Sequence, residues 1–438
     1  MPSASPEKQL IAVALAMLAA LSMWFYVRHI VVPHQEKDAA QFERPRGNLS
    51  DLYPRWLGTR ELLLRGRDPY SREVTLEIQQ GYWGREIDPS RPNDPKDQQG
   101  FAYPVYVAFV LAPTVHMDFA SVRVLFLWFS TGFTVATVLF WKRVLGVGFP
   151  PWRTLTLLFL VLGSYPFAEA FSVQQPLLLV ALLLSGSFLA RQRGWLFLSG
   201  VLLAVATIKP QVALLPVVLM LFWVAAKWRE RQRWFWGFGS VMLVLMGASE
   251  YVLPGWLFRF YGALGAYSNY MAGTSFLDWL VSPRWSGLCR VILILPVLWV
   301  CWKSRAAAPD SVASRRALSL ALVAVVCIAP NLATYNQVLL IPGLLFLWDQ
   351  PIALQHGGIV RRNLTKIIMT LLAWPWVACG ILIVAKVGFH AEHFVTRVWQ
   401  LPLYTTLSLP IALLALLMLW PVMSLPTKQA FPATEMLS

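Results

Sequence analysis

The chain has 438 residues, of which 57% are hydrophobic and only 13% are charged, with a mean hydropathy of +0.56. A soluble domain carries about 25% charged residues, so the composition excludes an ordinary soluble enzyme and indicates an integral membrane protein. The net charge is +15, but the basic residues lie between apolar runs. This is typical of loops that face anionic lipid, so we do not expect nucleic-acid binding.

The N-terminal segment is the first candidate membrane span. Its apolar run covers residues 9–31, which is longer than the apolar region of a secretory signal peptide, and no small-residue cleavage site follows it. We therefore expect a signal anchor that remains as the first helix.

Twelve apolar runs predict about twelve transmembrane helices, several of them short or interrupted by proline. The runs cover residues 9–31, 119–141, 152–170, 176–190, 195–208, 211–226, 234–253, 285–302, 317–329, 337–348, 365–386 and 403–424. The predicted fold class is an all-α integral membrane protein, with residues 1–438 in a single membrane domain.

The basic residues set the orientation of these spans. Lys and Arg gather in five short loops, which begin near residues 142, 191, 227, 303 and 361. With the N-terminus inside and each run crossing once, all five loops lie on the cytoplasmic side, and so do both termini. This requires that residues 101–113 do not cross. That run is short, contains Pro104 and ends at Pro113, so we expect an in-plane juxtamembrane helix.

Residues 33–118 then form the first extracytoplasmic loop, and residues 254–284 form the second large one. Residues 33–100 contain 12 of the 22 acidic residues and a similar number of basic ones. Ser50 and Asp51 precede an amphipathic pattern, which predicts an N-capped helix that lies on the outer surface. A second short helix is predicted after the turn "GRDPY", over residues 71–83.

Two aspartates of this loop are candidates for chemistry, because a charged group near the membrane is costly and often functional. The position of Asp51 at a helix start favours an N-cap, which satisfies free N–H groups and the helix dipole. Asp68 precedes Pro69, which favours a turn or cap residue. Position alone therefore leaves a catalytic role for either aspartate as the less favoured alternative.

Later polar residues interrupt the apolar runs. Lys209 lies at a Lys-Pro break between two runs, where its ammonium either snorkels to the interface or binds an anion such as phosphate. Glu169 and the following glutamines end the third run, and residues 335–337 begin the tenth. Polar side chains of this kind can form hydrogen bonds with sugar hydroxyls. The alternative is that they cap the ends of helices.

His390 and His393 in "HAEH" have the i, i+3 spacing of a shared helix face. Two histidines and a glutamate without a further anchored ligand give a weak zinc signal, so we expect contact with substrate or water, and no metal. The four cysteines lack metal-ligand spacing and are expected to be buried, small apolar residues. The sequence has no GxGxxG, P-loop, HExxH or CxxC motif, so no cofactor is expected.

The order of the motifs resembles glycosyltransferase family 87, the bacterial polyprenyl-phosphate-mannose-type mannosyltransferases of the GT-C superfamily. The resemblance covers roughly residues 8–350. It rests on "SDLYPRWLGTRELLLRGRDPY" at 50–70, "FAYPVYVAFVLAP" at 101–113, "ASVRVLFLW", "VQQPLLLVALLL", "AVATIKPQVALL" and "ATYNQVLL". Two departures leave the sugar open: the usual Tyr-Pro-Pro is Tyr103-Pro104-Val105 here, and the Gly-Gln motif before the leucine run is replaced by residues 173–176.

The resemblance implies a GT-C fold with juxtamembrane helices in the first outer loop. It implies inverting transfer of a hexose, mannose in the family, from a polyprenyl-phosphate-sugar donor to a lipid or glycan acceptor. The reaction is expected at the outer face of the inner (plasma) membrane, in contact with membrane lipids and without a cofactor. The resemblance also reverses the weighting for Asp51, which matches the aspartate expected to act as catalytic base.

On this hypothesis Lys209 stabilises the leaving phosphate, with Arg123 or Arg284 as helpers. The remaining candidates for substrate binding are Tyr53, Asp68, Tyr103, Gln174, Gln175, Tyr335, Asn336 and His390. Two other functions stay open. Broken spans and polar groups at membrane depth also suit a transporter or flippase of lipid-linked sugars, and a surface-glycan polymerase or ligase would use the same donor chemistry.

Overall fold

The computed structural model describes residues 5–43, 45, 47–88, 90–271, 275–329, 333–349 and 358–420. Within those ranges every regular element is helical, and 79% of the residues are in helices. The α-helices are α1 (Pro6–Tyr26), α2 (Val32–Gln41), α3 (Leu52–Arg65), α4 (Arg72–Trp83), α5 (Val107–Leu111), α6 (Phe119–Val144), α7 (Pro151–Leu162), α8 (Tyr165–Ser172), α9 (Leu177–Gln192), α10 (Leu196–Ala206), α11 (Pro210–Ala226), α12 (Trp228–Val252), α13 (Trp256–Met271), α14 (Phe276–Val281), α15 (Pro283–Lys303), α16 (Val312–Ile328), α17 (Ile341–Trp348), α18 (Ile359–Ile383), α19 (Glu392–Val398), α20 (Leu401–Tyr404) and α21 (Leu409–Met418).

Shorter helical turns connect some of these elements. A π-helical turn over Val27–Val31 joins α1 to α2, and another over Val384–Gly388 extends α18. The 3₁₀ segment Thr334–Leu340 leads directly into α17.

The predicted apolar runs are largely helical where the structure describes them, but the expected twelve transmembrane helices are not confirmed. Among the described residues, five helices are long and apolar enough to cross a membrane: Pro6–Gln41, Phe119–Val144, Trp228–Val252, Pro283–Lys303 and Ile359–Gly388. The pair α7 and α8, bent by 55° at its break, makes a sixth if it counts as one span. The other apolar helices have 10–17 residues, fewer than the roughly 20 needed to cross the hydrocarbon core.

The first helix runs further than the sequence suggested, because α2 continues it to Gln41. Pro33 lies in the first turn of α2 and has no backbone N–H. The π-helical turn just before it changes the hydrogen-bond register, which lets the helix pass the proline without breaking. The first loop therefore begins about ten residues later than expected.

The first helix packs closely against the bend between α7 and α8. A Cβ atom on Gly163, at the end of α7, would lie 2.2 Å from the Cα atom of Ala20. The indole N–H of Trp24 donates to the carbonyl of Leu162 at 3.0 Å. Helix α1 is thus part of the folded domain and supports the bend that leads into α8.

The two helices predicted in the first loop are present as α3 and α4. Ser71 caps α4 by accepting from the N–H of Val74 at 3.3 Å. The expectation for residues 101–113 is only partly met, since the α-helix there has five residues. Most of that segment is buried, with Phe101 and Val105 at 1% and 0% exposure. It packs beneath α3 as an apolar connection, because its side chains are apolar on every face.

The core is built mainly from α9, α11 and α16, with further buried residues from α6 and α10. Helices α10 and α12 approach at the level of their backbones, since a Cβ atom on Gly200 would lie 2.2 Å from the carbonyl oxygen of Trp234. Prolines begin two of the site-forming helices, as Pro176 precedes α9 and Pro210 opens α11. A proline fits a first helical turn because its missing N–H would be unpaired there anyway.

The basic loops meet at one end of the bundle, the C-terminal ends of α9 and α11. Arg231 donates to the carbonyls of Trp223 at 2.5 Å and Arg305 at 2.9 Å. Arg191, near the end of α9, donates to the hydroxyl of Ser314 at 3.0 Å. Arg316 donates to the carbonyl of Leu417 at 2.9 Å, near the end of α21. This end is called the arginine end below.

Candidate functional site

Asp51 lies immediately before α3, and its carboxylate does not cap that helix. Its backbone N–H donates to the carbonyl of Val173 at 2.8 Å, while the side-chain amide of Gln175 donates to its Oδ2 atom. Arg55, one turn later, donates to the carbonyl of Asp51 at 2.7 Å. The N-cap alternative is therefore wrong for this carboxylate, which turns away from α3 toward the connection between α8 and α9.

Lys209 lies in the break between α10 and α11, outside the candidate membrane spans. Its side chain turns inward: the residue is 5% exposed, and Nζ donates to Oε1 of Gln175 at 3.1 Å. The ammonium also lies 5.0 Å from the ring centroid of Tyr335. An ammonium held in this way does not snorkel to the interface, so that alternative is wrong in this structure.

A single glutamine therefore connects the carboxylate to the ammonium. Gln175 is 2% exposed, and its backbone N–H donates to the carbonyl of Ala170 at 2.8 Å. Asp51 and Lys209 form no direct ion pair in the part of the chain that the structure describes. The set Asp51, Gln175 and Lys209 is called the polar bridge below.

Aromatic residues surround the polar bridge. The guanidinium of Arg55 lies 4.5 Å from the ring centroid of Tyr103, which is 5% exposed. The hydroxyl of Tyr70 donates to the carbonyl of Tyr103 at 2.6 Å, which holds the backbone of the connection at Tyr103 in place. Tyr103 thus faces the guanidinium of Arg55, and Tyr335 faces the ammonium of Lys209. Aromatic faces suit both cations and sugar rings.

A second carboxylate lies beside this cluster. The hydroxyl of Thr334 donates a hydrogen bond to Oε2 of Glu169. This bond connects α8 to the 3₁₀ segment. Within the described ranges, the Oδ1 atom of Asn336 is buried without a hydrogen-bond partner, and so is the Oε1 atom of Gln174. Gln174 adopts a left-handed backbone conformation with φ of 48°. Buried, unpaired acceptors of this kind are rare in native proteins and are available to donors of a ligand.

Burial and the field of opposite charges shift the pKa values of the site in opposite directions. Burial raises the pKa of Asp51 above its usual range, while Arg55 and Lys209 act in the opposite direction. Burial also lowers the pKa of Lys209 to about 7, against the favourable field of Asp51. Both shifts disfavour the charged forms, and perturbed pKa values of this kind cluster at functional sites.

Tyr53 and Asp68 lie at the edge of the cluster and do not join it. The ring of Tyr53 packs edge-on against Phe119, with centroids 4.8 Å apart. Asp68 accepts from the N–H of Tyr70 at 2.9 Å, as a turn residue does. Its other oxygen pairs with Arg259 of α13, so Asp68 connects the first large loop to the second.

Three other predicted residues are not brought to the polar bridge. Arg123, Arg284 and His390 are exposed. The guanidinium of Arg284 lies over its neighbour, 5.7 Å from the ring centroid of Trp285. Over the described ranges, no group of three or more His, Cys, Asp or Glu side chains could hold a metal ion.

The sequence reasoning missed Arg55 and Tyr267. Arg55 carried a signal, since it follows Asp51 by four residues and so shares its helix face. Tyr267, on α13, lies within the electrostatic reach of Arg55 and Asp51, and burial raises its pKa to about 12. It comes from the second large loop, more than 200 residues after Asp51, and no local pattern connects the two.

An apolar cavity of about 880 Å³ lies between α7, α17 and α18. Most of its lining is aliphatic and aromatic. The lining also includes Ser164, Tyr165 and Gln337, which are close in the chain to Glu169 or belong to the 3₁₀ segment of the site. The cavity therefore lies beside the segments that carry Glu169 and Gln337.

The comparisons with known proteins place the chain in a family. The model of glycosyltransferase family 87 matches residues 101–330, just over half of the 438 residues. The match includes Tyr103, Gln175 and Lys209, and begins after Asp51. No curated protein and no solved structure matches the chain. Together with its helices of membrane-spanning length, the match identifies a membrane glycosyltransferase, and the chain belongs to glycosyltransferase family 87.

Proposed function

We propose that the protein transfers a hexose, mannose, from a polyprenyl-phosphate-sugar donor to a lipid or glycan acceptor, with inversion at the sugar C1. The reaction takes place at the outer face of the cell's inner membrane. The observation that carries the proposal is the polar bridge, in which one side chain holds a buried carboxylate and a buried ammonium without a direct ion pair.

Lys209 is the proposed contact for the donor phosphate. Its ammonium has three N–H donors, of which one is used by Gln175. Lys209 directly precedes α11, and the dipole of a helix N-terminus adds to the attraction for an anion. Arg55 adds a second positive charge. The exposed Arg123 and Arg284 are not needed for this role.

Asp51 is the proposed general base. The acceptor hydroxyl gives its proton to the carboxylate while its oxygen forms a bond to C1 of the sugar. The bond between C1 and the phosphate oxygen breaks, and its electron pair leaves with the polyprenyl phosphate. Lys209 and Arg55 stabilise that developing negative charge. Direct displacement inverts C1 and leaves one proton on Asp51, which then returns to solvent.

A lipid-linked donor fits the apolar cavity beside the site. A polyprenyl chain offers only hydrocarbon surface, which matches the aliphatic lining. The sugar is proposed to lie between Tyr103 and Tyr335, where the unpaired oxygen of Asn336 accepts from a hydroxyl group.

The proposed orientation follows from the two ends of the bundle. The basic loops gather at the C-terminal ends of α9 and α11, and Asp51 and Lys209 lie near their N-terminal ends. Positively charged loops face the cytoplasm, which supports cytoplasmic termini and an outward-facing site. The proposal includes a GT-C architecture, in which residues 33–118 and 254–284 are outer loops and the shorter apolar helices act as broken spans.

A vesicle assay tests the function. Purified protein in vesicles with native lipid extract receives polyprenyl-phosphate-mannose labelled in the sugar. We expect label in a new glycosidic product, and a loss of at least about 100-fold in Asp51→Asn, which keeps the shape and removes the base. Label that crosses the bilayer without a new glycosidic bond would indicate a transporter instead. Parental transfer rates in Asp51→Asn would remove the base assignment.

A further inference from the structure

Gln175 uses both ends of its side-chain amide inside the protein. Its NH₂ group donates to Oδ2 of Asp51, and its carbonyl oxygen accepts from Nζ of Lys209 at 3.1 Å. The orientation of the amide follows from chemistry, because an ionised carboxylate only accepts hydrogen bonds and an ammonium only donates them. At 2% exposure, this amide has little surface left for a substrate.

We propose that Gln175 is a positioning residue, which keeps Asp51 and Lys209 charged, separated and aimed at different atoms of the reacting pair. The proposal rests on the proposed function, in which these two residues act as base and phosphate ligand. It replaces the expectation that Gln175 binds substrate directly.

A neutral side chain between the two ions prevents them from competing with the substrates for each other's charge. A carboxylate and an ammonium in direct contact at low dielectric satisfy each other and have less to offer a ligand. With the amide between them, Oδ1 of Asp51 remains open for the acceptor hydroxyl, and two N–H groups of Lys209 remain for the donor phosphate. Each ion still has a charge-assisted hydrogen bond to the amide.

Other charged groups around the bridge set the background for this effect. Arg55 and Lys209 favour the ionised form of Asp51, whereas Asp97 opposes it. The titratable groups that sense Asp51 from neighbouring elements are Tyr82, Tyr103, Glu169, Tyr267 and Tyr335. A substitution at Gln175 alone leaves all of these residues in the protein. A shift in the limbs of the pH profile is therefore due to the loss of the amide.

The decisive experiment compares pH profiles of kcat/KM for the parental protein and Gln175→Ala in the vesicle assay. Removal of the donor to Asp51 raises the pKa of that carboxyl, so the acidic limb moves to higher pH. Removal of the acceptor for Lys209 lowers the pKa of the ammonium, so the alkaline limb moves to lower pH. We expect each limb to move by about one pH unit, which narrows the profile, and a loss of about 10-fold at the optimum.

Gln175→Glu provides a second signature with nearly the same shape. A negative charge between the two groups raises both pKa values, so both limbs move to higher pH and the profile keeps its width. Loss of packing alone cannot narrow the pH profile in Gln175→Ala and also move the whole profile to higher pH in Gln175→Glu. Gln192→Ala, at the other end of α9, removes an amide that donates to the carbonyl of Val144 at 3.3 Å and is expected to keep the parental profile.

A measurement that needs no sugar transfer separates this inference from the proposed function. Competitive acetylation with acetic anhydride, read by peptide mass spectrometry, gives the pH midpoint of Lys209. We expect a midpoint about one unit lower in Gln175→Ala. An unchanged midpoint together with an unchanged pH profile would overturn the positioning role. An active Asp51→Asn protein with a shifted midpoint would instead overturn the proposed function and leave the link between Gln175 and Lys209 in place.

Discussion

The two ends of the bundle bury cations in different ways. At the arginine end, Arg231 and Arg316 donate to backbone carbonyls that terminate helices. Near the other end, Lys209 donates to a side-chain amide that also holds a carboxylate. Backbone carbonyls cannot move away, so the arginines hold helix ends together. The side-chain amide of Gln175 can rotate away from Lys209, which leaves the ammonium available to a ligand.

This contrast separates structure from chemistry. Substitution at the arginine end should lower stability and leave the chemistry of the remaining folded protein unchanged. Substitution at the polar bridge should lower activity and leave the fold largely intact. Four predictions test the contrast, beginning with the largest expected effect.

Lys209→Ala should reduce kcat/KM by about 100-fold or more, because the leaving phosphate loses its nearest proposed cation. The measurement is sugar transfer from the labelled donor, with the melting temperature as a control for folding. Lys209→Arg should retain part of the activity, since the charge is kept. Equal activity of the alanine variant and the parental protein would remove the proposed phosphate role.

Arg316→Met should lower the free energy of unfolding by about 2 kcal/mol, because the buried carbonyls of residues 417 and 418 lose charged donors. Thermal unfolding in detergent measures this. Transfer activity per folded molecule should stay within about twofold of the parental value. A strong loss of specific activity at unchanged stability would contradict the division between the two ends.

The pH dependence of kcat/KM should be bell-shaped. Asp51 must be ionised to accept a proton, and burial raises its pKa, so activity falls as the pH drops through that raised value. Lys209 must be protonated, and its pKa is about 7, so activity falls as the pH rises above neutrality. In Lys209→Arg the alkaline limb should disappear, because a guanidinium stays protonated. Persistence of that limb would assign it to another group.

Asp68→Asn should have the smallest effect. Asp68 keeps its turn hydrogen bond as asparagine but loses the ion pair with Arg259, which is partly exposed. A pair of this kind contributes about 0.5 kcal/mol, so we expect a melting temperature within about 3 °C of the parental value and a change in KM below about threefold. A loss of transfer as large as that of Asp51→Asn would place Asp68 in the reaction itself.

The sequence predicted the helices better than the number of spans. Apolar runs give helices wherever a chain must satisfy its backbone away from water, and the twelve runs are largely helical where described. Gly163 lies at the break that divides the run 152–170, and Pro210 lies between two runs whose helices are each too short to cross. Whether neighbouring pieces combine depends on packing between helices, which periodicity does not report.

The candidate site was only partly predictable. Asp51 and Lys209 stood out because charge is rare near apolar runs, and the family resemblance supplied the role of Asp51. The direction of a side chain is set by long-range contacts, so the sequence could not distinguish an N-cap from a carboxylate turned toward Gln175. Arg123, Arg284 and His390 were chosen for charge alone, and their proposed roles remain predictions without a contact to support them.

The contact between α1 and the bend at Gly163 has a practical consequence for recombinant production. An expression design that replaces the first thirty residues with a cleavable leader would remove Ala20 and Trp24. The missing helix would leave an open slot along α7, and the bend would lose its lateral support. Since α8 carries Glu169 and leads to Gln175, such a truncated protein is expected to be inactive even where it inserts into the membrane.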